Sequence, residues 1–314
     1  MFTIIKKPKK NKNYLVTIAI GKKYYNDWYN YALPTWKRYC QRNDIGIIVI
    51  TEDLVDKNDP SWKKATWQKL ILGSFLSEKD LDINNVCYLD TDILINFYAP
   101  NIFNKYNKRN ISVVSQVNNL EQPLHETLRK IAFLRHHNYS SDYPLDSALF
   151  MSVNEIYKYH NFKPMNDYFC AGLFIFNIKN HSDIMMKWFK KYNHKIHTLT
   201  GGGDEPILNY EFLNYKKITW LNYKFQALWI YEIAWKYPFL YNKTISSKKL
   251  IKACIESSLT TNFFLHFAGS WYESDMWKIK NLFKDKKNRK LLKKYQNYLN
   301  TKVTGKPKGI KKPT

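Results

Sequence analysis

Apolar positions along the chain come in two rhythms. Short unbroken runs have the length and β-branched content of strands buried on both faces of a sheet: YLVTIAIG at 14–21, IGIIVI at 45–50, VCYLDTDILI at 86–95, ISVVSQV at 111–117 and CAGLFIFNI at 170–178. Between the first three the period lengthens. Trp28, Ala32, Trp36, Tyr39 and Cys40 recur at helical spacing, with a kink expected at Pro34, and Trp67, Leu70, Ile71 and Phe75 line one side of KKATWQKLILGSFL. Strand, helix, strand, helix, strand predicts an α/β fold with a mostly parallel sheet, helices on its faces and right-handed crossovers.

The third run holds an anomaly. Asp90 and Asp92 interrupt residues that are otherwise apolar, where an unpaired carboxylate is costly enough to take up a proton. Residues two apart in an extended chain share a face, so the pair can meet one ligand, and the carboxyl end of a central strand is where open α/β sheets bind small molecules. A divalent cation shared with a diphosphate makes two adjacent carboxylates tolerable. Oxygen ligands suit Mg²⁺ or Mn²⁺, and an added imidazole tilts the choice toward Mn²⁺. The D-x-D pattern is short enough to arise from composition, and Asp80-Leu81-Asp82, among Ser77, Glu78 and Lys79, reads as a solvated loop. Apolar flanks distinguish Asp90 and Asp92 from it.

Composition narrows this picture only a little. With 314 residues, 45% of them apolar, the chain can build one large α/β domain or two small ones. A net charge of +24 fits an anionic partner such as phosphate, nucleic acid or a membrane surface, and fits equally the Lys-, Asn-, Tyr- and Ile-rich usage of AT-rich genomes. No stretch approaches the roughly 18 apolar residues of a membrane span. In MFTIIKKPKKNKN the lysines follow a short apolar segment instead of preceding a long one, so no signal peptide is read there and a cytoplasmic location is expected. Cys40, Cys87, Cys170 and Cys254 lack C-x-x-C spacing and read as reduced core thiols; His125, His136, His137 and His160 fall in an irregular polar stretch without metal-ligand spacing. Residues 281–314 carry twelve Lys/Arg against Asp285 alone, with an apolar stripe of Leu291, Leu292, Tyr295, Tyr298 and Leu299, which predicts a basic amphipathic helix and then a disordered end.

Four segments, in order, resemble a known family. YLDTDILI looks like the metal-binding D-x-D of GT-A type nucleotide-sugar glycosyltransferases, nearest the retaining family that includes glycogenin and bacterial lipopolysaccharide galactosyltransferases. YFCAGLFIFN (168–177) is similar to that family's Y-F-N-A-G strand, GDEPILNY (203–210) to its D-Q-x-x-L-N and LHFAGSWY (265–272) to its H-[FY]-x-G. The resemblance covers about 14–272. It implies a GT-A (Rossmann-like) domain there, between a basic arm at 1–13 and a basic tail at 273–314, with 118–166 as an acceptor-side loop and helix region.

The same resemblance implies roles. Asp90 and Asp92 would hold Mn²⁺ (or Mg²⁺) with His266, and the metal would neutralise a leaving nucleoside diphosphate. Asp204 and Glu205 would lie near the reacting sugar carbon. The donor, a UDP-sugar, would touch Lys69, Thr91, Cys170, Ala171, Gly172 and Gly269. Backbone of Ala19, Ile20 and Gly21 would meet base and ribose, with Tyr24 or Tyr25 stacking on uracil. A hexose would pass, with retention, to a glycan or lipid-linked acceptor, and the tail would dock on an anionic membrane surface; nucleic acid is the disfavoured partner.

Departures are equally visible. Glu205 replaces Gln, and a carboxylate there can attack an anomeric carbon or stabilise an oxocarbenium ion; the same Asp-Glu-Pro also reads as a helix N-terminus. Cys170 replaces Asn, Gln116 stands near an acid's place, Lys69 replaces Arg and reads equally as a solvated helix face, and SWYESDMW carries no K-P-W. Two other readings stay open: a haloacid-dehalogenase-type phosphohydrolase with Asp90 as nucleophile, and a nucleic-acid-binding protein using the basic tail.

Overall fold

The computed structural model describes residues 2–79, 81–104, 106–137, 151–192, 203–242 and 246–283. β1 (Phe2–Lys6) and β2 (Asn13–Ile18) lead into α1 (Lys22–Asp27), a π-helical turn (Trp28–Ala32), α2 (Leu33–Asn43) and β3 (Gly46–Ile50). Then come α3 (Ala65–Gln68), a 3₁₀ turn (Lys69–Ile71), α4 (Leu72–Ser77), β4 (Asn85–Leu89), β5 (Ile93–Ile95) and β6 (Ile111–Ser115). α5 (Leu124–His137), α6 (Val153–Tyr159), β7 (Phe169–Asn177), α7 (Ile178–Lys191) and α8 (Glu205–Tyr215) follow. The last elements are β8 (Ile218–Trp220), β9 (Ala227–Leu228), α9 (Trp229–Lys236), α10 (Lys248–Thr261) and β10 (Phe264–His266).

Among the described residues, seven strands form the main sheet in the order β1-β3-β2-β4-β7-β6-β8. The expected strand–helix alternation is present, and β3, β2 and β4 run parallel. The sheet as a whole, however, is mixed: β7 enters between β4 and β6 antiparallel to both, and β1 lies antiparallel on β3. An apolar run shows burial but not direction, which is why β7 read like its neighbours. Phe2–Lys6, inside the stretch read as a basic arm, is an edge strand.

Both faces of the sheet are covered, which explains the unbroken apolar runs. Along β2, Tyr14, Val16 and Ile18 join a core with Tyr88, Phe174, Phe176, Leu76 and Met185. Leu15 joins the opposite core with Cys87, Trp36, Tyr39 and Ile47. Pro34 sits in the first turn of α2, and the π-helical turn immediately before it absorbs the expected kink. The helix read over KKATWQKLILGSFL is likewise broken, by the 3₁₀ turn that starts at Lys69. All four cysteines are free and buried.

The run at 86–95 is two strands, not one. β4 stops at Leu89, Asp90–Asp92 turn the chain, and β5 enters a second, three-stranded sheet of order β5-β10-β9. Trp36 Nε1 donates to Ile93 O at 2.7 Å and Ile95 N–H donates to Thr35 Oγ1 at 3.0 Å, so α2 carries this small sheet. Carboxylates have no place on a strand covered on both faces, and the chain leaves the main sheet where they begin. The polar stretch 118–166 contains α5 and α6; residues 138–150, Asp80 and the basic tail from 284 onward lie outside the described residues. Among the described residues no helix is long and apolar enough to cross a membrane.

Candidate metal centre

Strand pairing brings three distant segments together. Asp90 N–H donates to Gly172 O at 2.9 Å, which continues the β4–β7 ladder past Leu89. On the other side β5 pairs with β10, placing His266 opposite Ile93 and next to Asp92. His266 Nε2 then lies 3.3 Å from Asp92 Oδ1 and 3.7 Å from Asp90 Oδ2. One ligand atom from each of the three falls within 4.8 Å of the others. Asp92 and His266 are buried, whereas the Asp90 side chain keeps 35% of its surface exposed, leaving an approach from solvent. Tyr88 O–H donates to Asp90 Oδ1 at 2.7 Å and orients that carboxylate.

Gly172 makes this approach possible by its size. A Cβ at that position would lie 2.3 Å from His266 Cε1 and 2.6 Å from Asp90 Oδ2, so any side chain would push the cluster apart.

A second group of charges adjoins the first. Asp204 occupies the N-cap position of α8 without capping it; its carboxylate is turned to Lys69 Nζ, 2.8 Å away. Lys69 is buried, not a solvated face residue, and it also donates to Ala171 O at 3.0 Å. Ala171 N–H donates in turn to Glu205 Oε2 at 3.0 Å. One turn later Asn209 grips the start of β7, accepting from Phe169 N–H at 2.7 Å and donating to Phe169 O at 2.8 Å. The helix N-terminus and the acid pair are therefore one feature, docked on the Cys170–Gly172 segment.

Burial sets the electrostatics. It raises Glu205 to about 7, against the pull of the Ala171 N–H. Burial also raises Asp204, opposed by Lys69, and Asp92, opposed by His266. On Lys69 burial works the other way, but Asp204 and Asp90 hold the ammonium above its ordinary range. Burial opposes charge on His266, yet the Cys170 sulfur on one edge and Asp92 on the other raise it well above the usual imidazole range. Cys170 itself is pushed up to about 11 by burial. Among the described residues, Asp90, Asp92, Asp204 and Glu205 share this region with Lys69 and His266, and burial is the main cause of the upward shifts of Asp92, Asp204 and Glu205. Two carboxylates and one imidazole, their ligand atoms within 4.8 Å of one another, are a donor set that fits Mn²⁺ or Mg²⁺.

The expected nucleotide-side residues gather at the end of β2. Ala19 N–H donates to Ile50 O at 2.8 Å, and Gly21 has φ +94, a conformation that L side chains rarely adopt, just before α1. Tyr24, 46% exposed, packs 5.4 Å from the Tyr272 ring. Tyr272 belongs to the 3₁₀ turn Gly269–Ser274 that follows β10 and donates to Asp27 Oδ2 at 2.9 Å, and burial and that Asp27 contact, with Asp92 adding a little, raise its hydroxyl above the ordinary phenol range. Tyr25 instead stacks on Tyr29. Thr91 is buried in the turn between the two acids, Gly269 has φ +62, and Gln116 N–H donates to Tyr168 O beside β7. One residue of this region was not singled out in the sequence, Gln226, whose Nε2 lies 3.2 Å from His266 Nδ1, and Asn209 entered only as the last letter of the D-Q-x-x-L-N resemblance, without a role. A lone glutamine in the apolar string KFQALWI was the available signal for Gln226.

No protein-family model matches the chain, and no curated protein matches it by sequence. Among the solved structures that match it along most of its length are the following three. One is a glycosyltransferase involved in the glycosylation of the major capsid of PBCV-1 (9% identity, 85% of this chain and 98% of that one, TM-score 0.49). The second is the galactosyltransferase LgtC in complex with donor and acceptor sugar analogs (14% identity, 93% and 98%, TM-score 0.43). The third is the glycosyltransferase GlyE of Streptococcus pneumoniae TIGR4 (13% identity, 94% and 64%, TM-score 0.43).

Proposed function

We propose that the protein is a metal-dependent glycosyltransferase of GT-A type, moving a hexose from a nucleotide sugar, taken to be a UDP-sugar, to a glycan or lipid-linked acceptor with retention. One observation carries this reading. A two-carboxylate, one-imidazole set at the carboxyl end of β4 stands against a backbone segment, Cys170–Gly172, whose other side holds a buried Asp204–Lys69 pair and Glu205. The D-x-D, C-A-G, D-E and H-x-x-G segments, far apart in sequence, are neighbours here.

Asp90, Asp92 and His266 would hold the cation. When bound, it supplies Lewis-acid stabilisation of charge on a leaving diphosphate. The chain's own residues do the rest. Lys69 fixes Asp204 and the Ala171 carbonyl in one arrangement, and Ala171 N–H orients the Glu205 carboxylate. With its proton released near neutral pH, Glu205 can serve as the nucleophile or stabilise an oxocarbenium ion on the sugar. The Tyr24 and Tyr272 rings offer faces to a uracil base. Cys170 and Gln116 would shape the sugar side, and the basic tail would hold the enzyme at a membrane surface as a peripheral protein of the cytoplasm.

A donor screen tests the proposal: hydrolysis of UDP-, GDP- and CMP-sugars is followed with and without Mn²⁺. Turnover of a UDP-sugar that requires the metal, and falls to background in Asp92→Asn, is the expected result. Metal-independent turnover counts against it. Release of phosphate from simple esters, with every nucleotide sugar untouched, assigns Asp90 instead as a phosphoryl-accepting nucleophile.

A further inference from the structure

The His266 imidazole has two edges, and the metal centre accounts for one. Nε2 faces Asp92 and Asp90. Nδ1 faces Gln226 Nε2 at 3.2 Å and Cys170 Sγ at 3.5 Å. Gln226 ends the 3₁₀ turn Tyr223–Gln226 directly before β9, and β9 runs parallel to β10 with Leu228 opposite His266, so the small sheet itself sets this side chain against the ring. The side chain is buried. Its Nε2 also donates to Cys170 O at 3.2 Å, whereas its Oε1 has no hydrogen-bond partner among the described residues. That oxygen is free to accept a hydrogen bond from the imidazole beside it.

A histidine that ligates through Nε2 needs its lone pair there, so the ring proton sits on Nδ1 and must be donated onward. As it stands, the Gln226 amide turns a donor, Nε2, toward His266 Nδ1. A half-turn about the Cγ–Cδ bond reverses that polarity. The hydrogen bond from Gln226 Nε2 to Cys170 O is then exchanged for one from His266 Nδ1–H to Gln226 Oε1. The geometry points to Gln226 as the positioning residue for His266, its Oε1 accepting from Nδ1–H when a divalent cation is held at Nε2.

Resting on the metal centre proposed above, this role is tested by calorimetric titration of Mn²⁺ into the full chain and two variants. Gln226→Met keeps the volume but offers no strong acceptor, and is expected to bind Mn²⁺ roughly 10–100-fold more weakly. Gln226→Glu can only accept, and is expected to bind as tightly as the parent or more tightly. Metal-free thermal unfolding of each variant identifies any loss of fold, and a packing role alone would not separate the two affinities. If the Met variant does not fold, Gln226→Asn carries the test, its shortened amide losing the same affinity. Binding by Gln226→Met within about twofold of the parent, or by Gln226→Glu as weak as Gln226→Met, overturns the positioning role while leaving the centre intact. No Mn²⁺ binding by the parent chain overturns the centre and this role together.

Discussion

Lys69 and Asp204 are each almost wholly removed from water, so neither tolerates losing the other. Replacing Lys69 with Met leaves a buried carboxylate uncompensated, a change that costs about 3–5 kcal/mol. Adding Asp204→Asn should recover much of that loss, and chemical denaturation of the single and double variants measures both effects. Glu205 answers to pH instead. Its folded-state value of about 7 lies above the ordinary 4.5, so between those values the folded chain holds a proton that the unfolded chain has released. Stability from this group is therefore full below about 4.5 and is lost as pH rises toward 7. Glu205→Gln removes the dependence: relative to the variant, the parent chain should be less stable at pH 8 than at pH 4.5. Full transferase activity in the same variant would rule out a nucleophilic Glu205.

At the scale of elements, the site depends on how α8 is fastened to β7. Asn209, fully buried, satisfies both backbone groups of Phe169 and donates to Glu205 O as well. Asn209→Leu orphans the Phe169 N–H and C=O, at about 1–3 kcal/mol for each group left unpaired. The expected outcome is a lowered unfolding temperature together with weaker donor turnover, because Glu205 and Ala171 lose their register; unchanged values of both would remove the fastening role. The sequence showed these elements unevenly, for physical reasons. Buried runs and helical periods mark β2, β3, β4 and β7 because local composition records burial. They do not record partners: β5 finds β10 some 170 residues later, as the pairing of Ile93 with His266 shows. Motif order could therefore suggest that Asp90, Asp92, Glu205 and His266 meet, while the burial of Lys69 could not be read, since its compensating acid lies on another helix. The antiparallel course of β7 was hidden for the same reason, and so was Gln226, which acquires its setting only when β9 pairs with β10.

The whole molecule sets an acidic centre inside a strongly basic chain, and the two charges act at different ranges. A net charge of +24 draws anions toward the surface, and the residues from 284 onward contribute disproportionately to it. Ending the chain after Phe283 removes twelve basic residues and one acid, taking the formal charge from +24 to +13, while the Asp90–Asp92–His266 cluster stays in place. Each Lys or Arg held near an anionic bilayer contributes on the order of 1 kcal/mol, enough for a dozen to outweigh the loss of translational freedom on docking. The intact chain should therefore float with phosphatidylserine-containing vesicles at about 0.1 M salt and come off at about 0.5 M, where screening shortens the reach of each charge. The shortened chain should stay in the soluble fraction, and neither form should float with neutral vesicles. Donor hydrolysis by the shortened chain should persist, because every residue assigned to the centre lies before the cut. Equal flotation of the two forms would move the membrane contact onto the folded domain, and loss of hydrolysis on shortening would mean that the tail also serves the site.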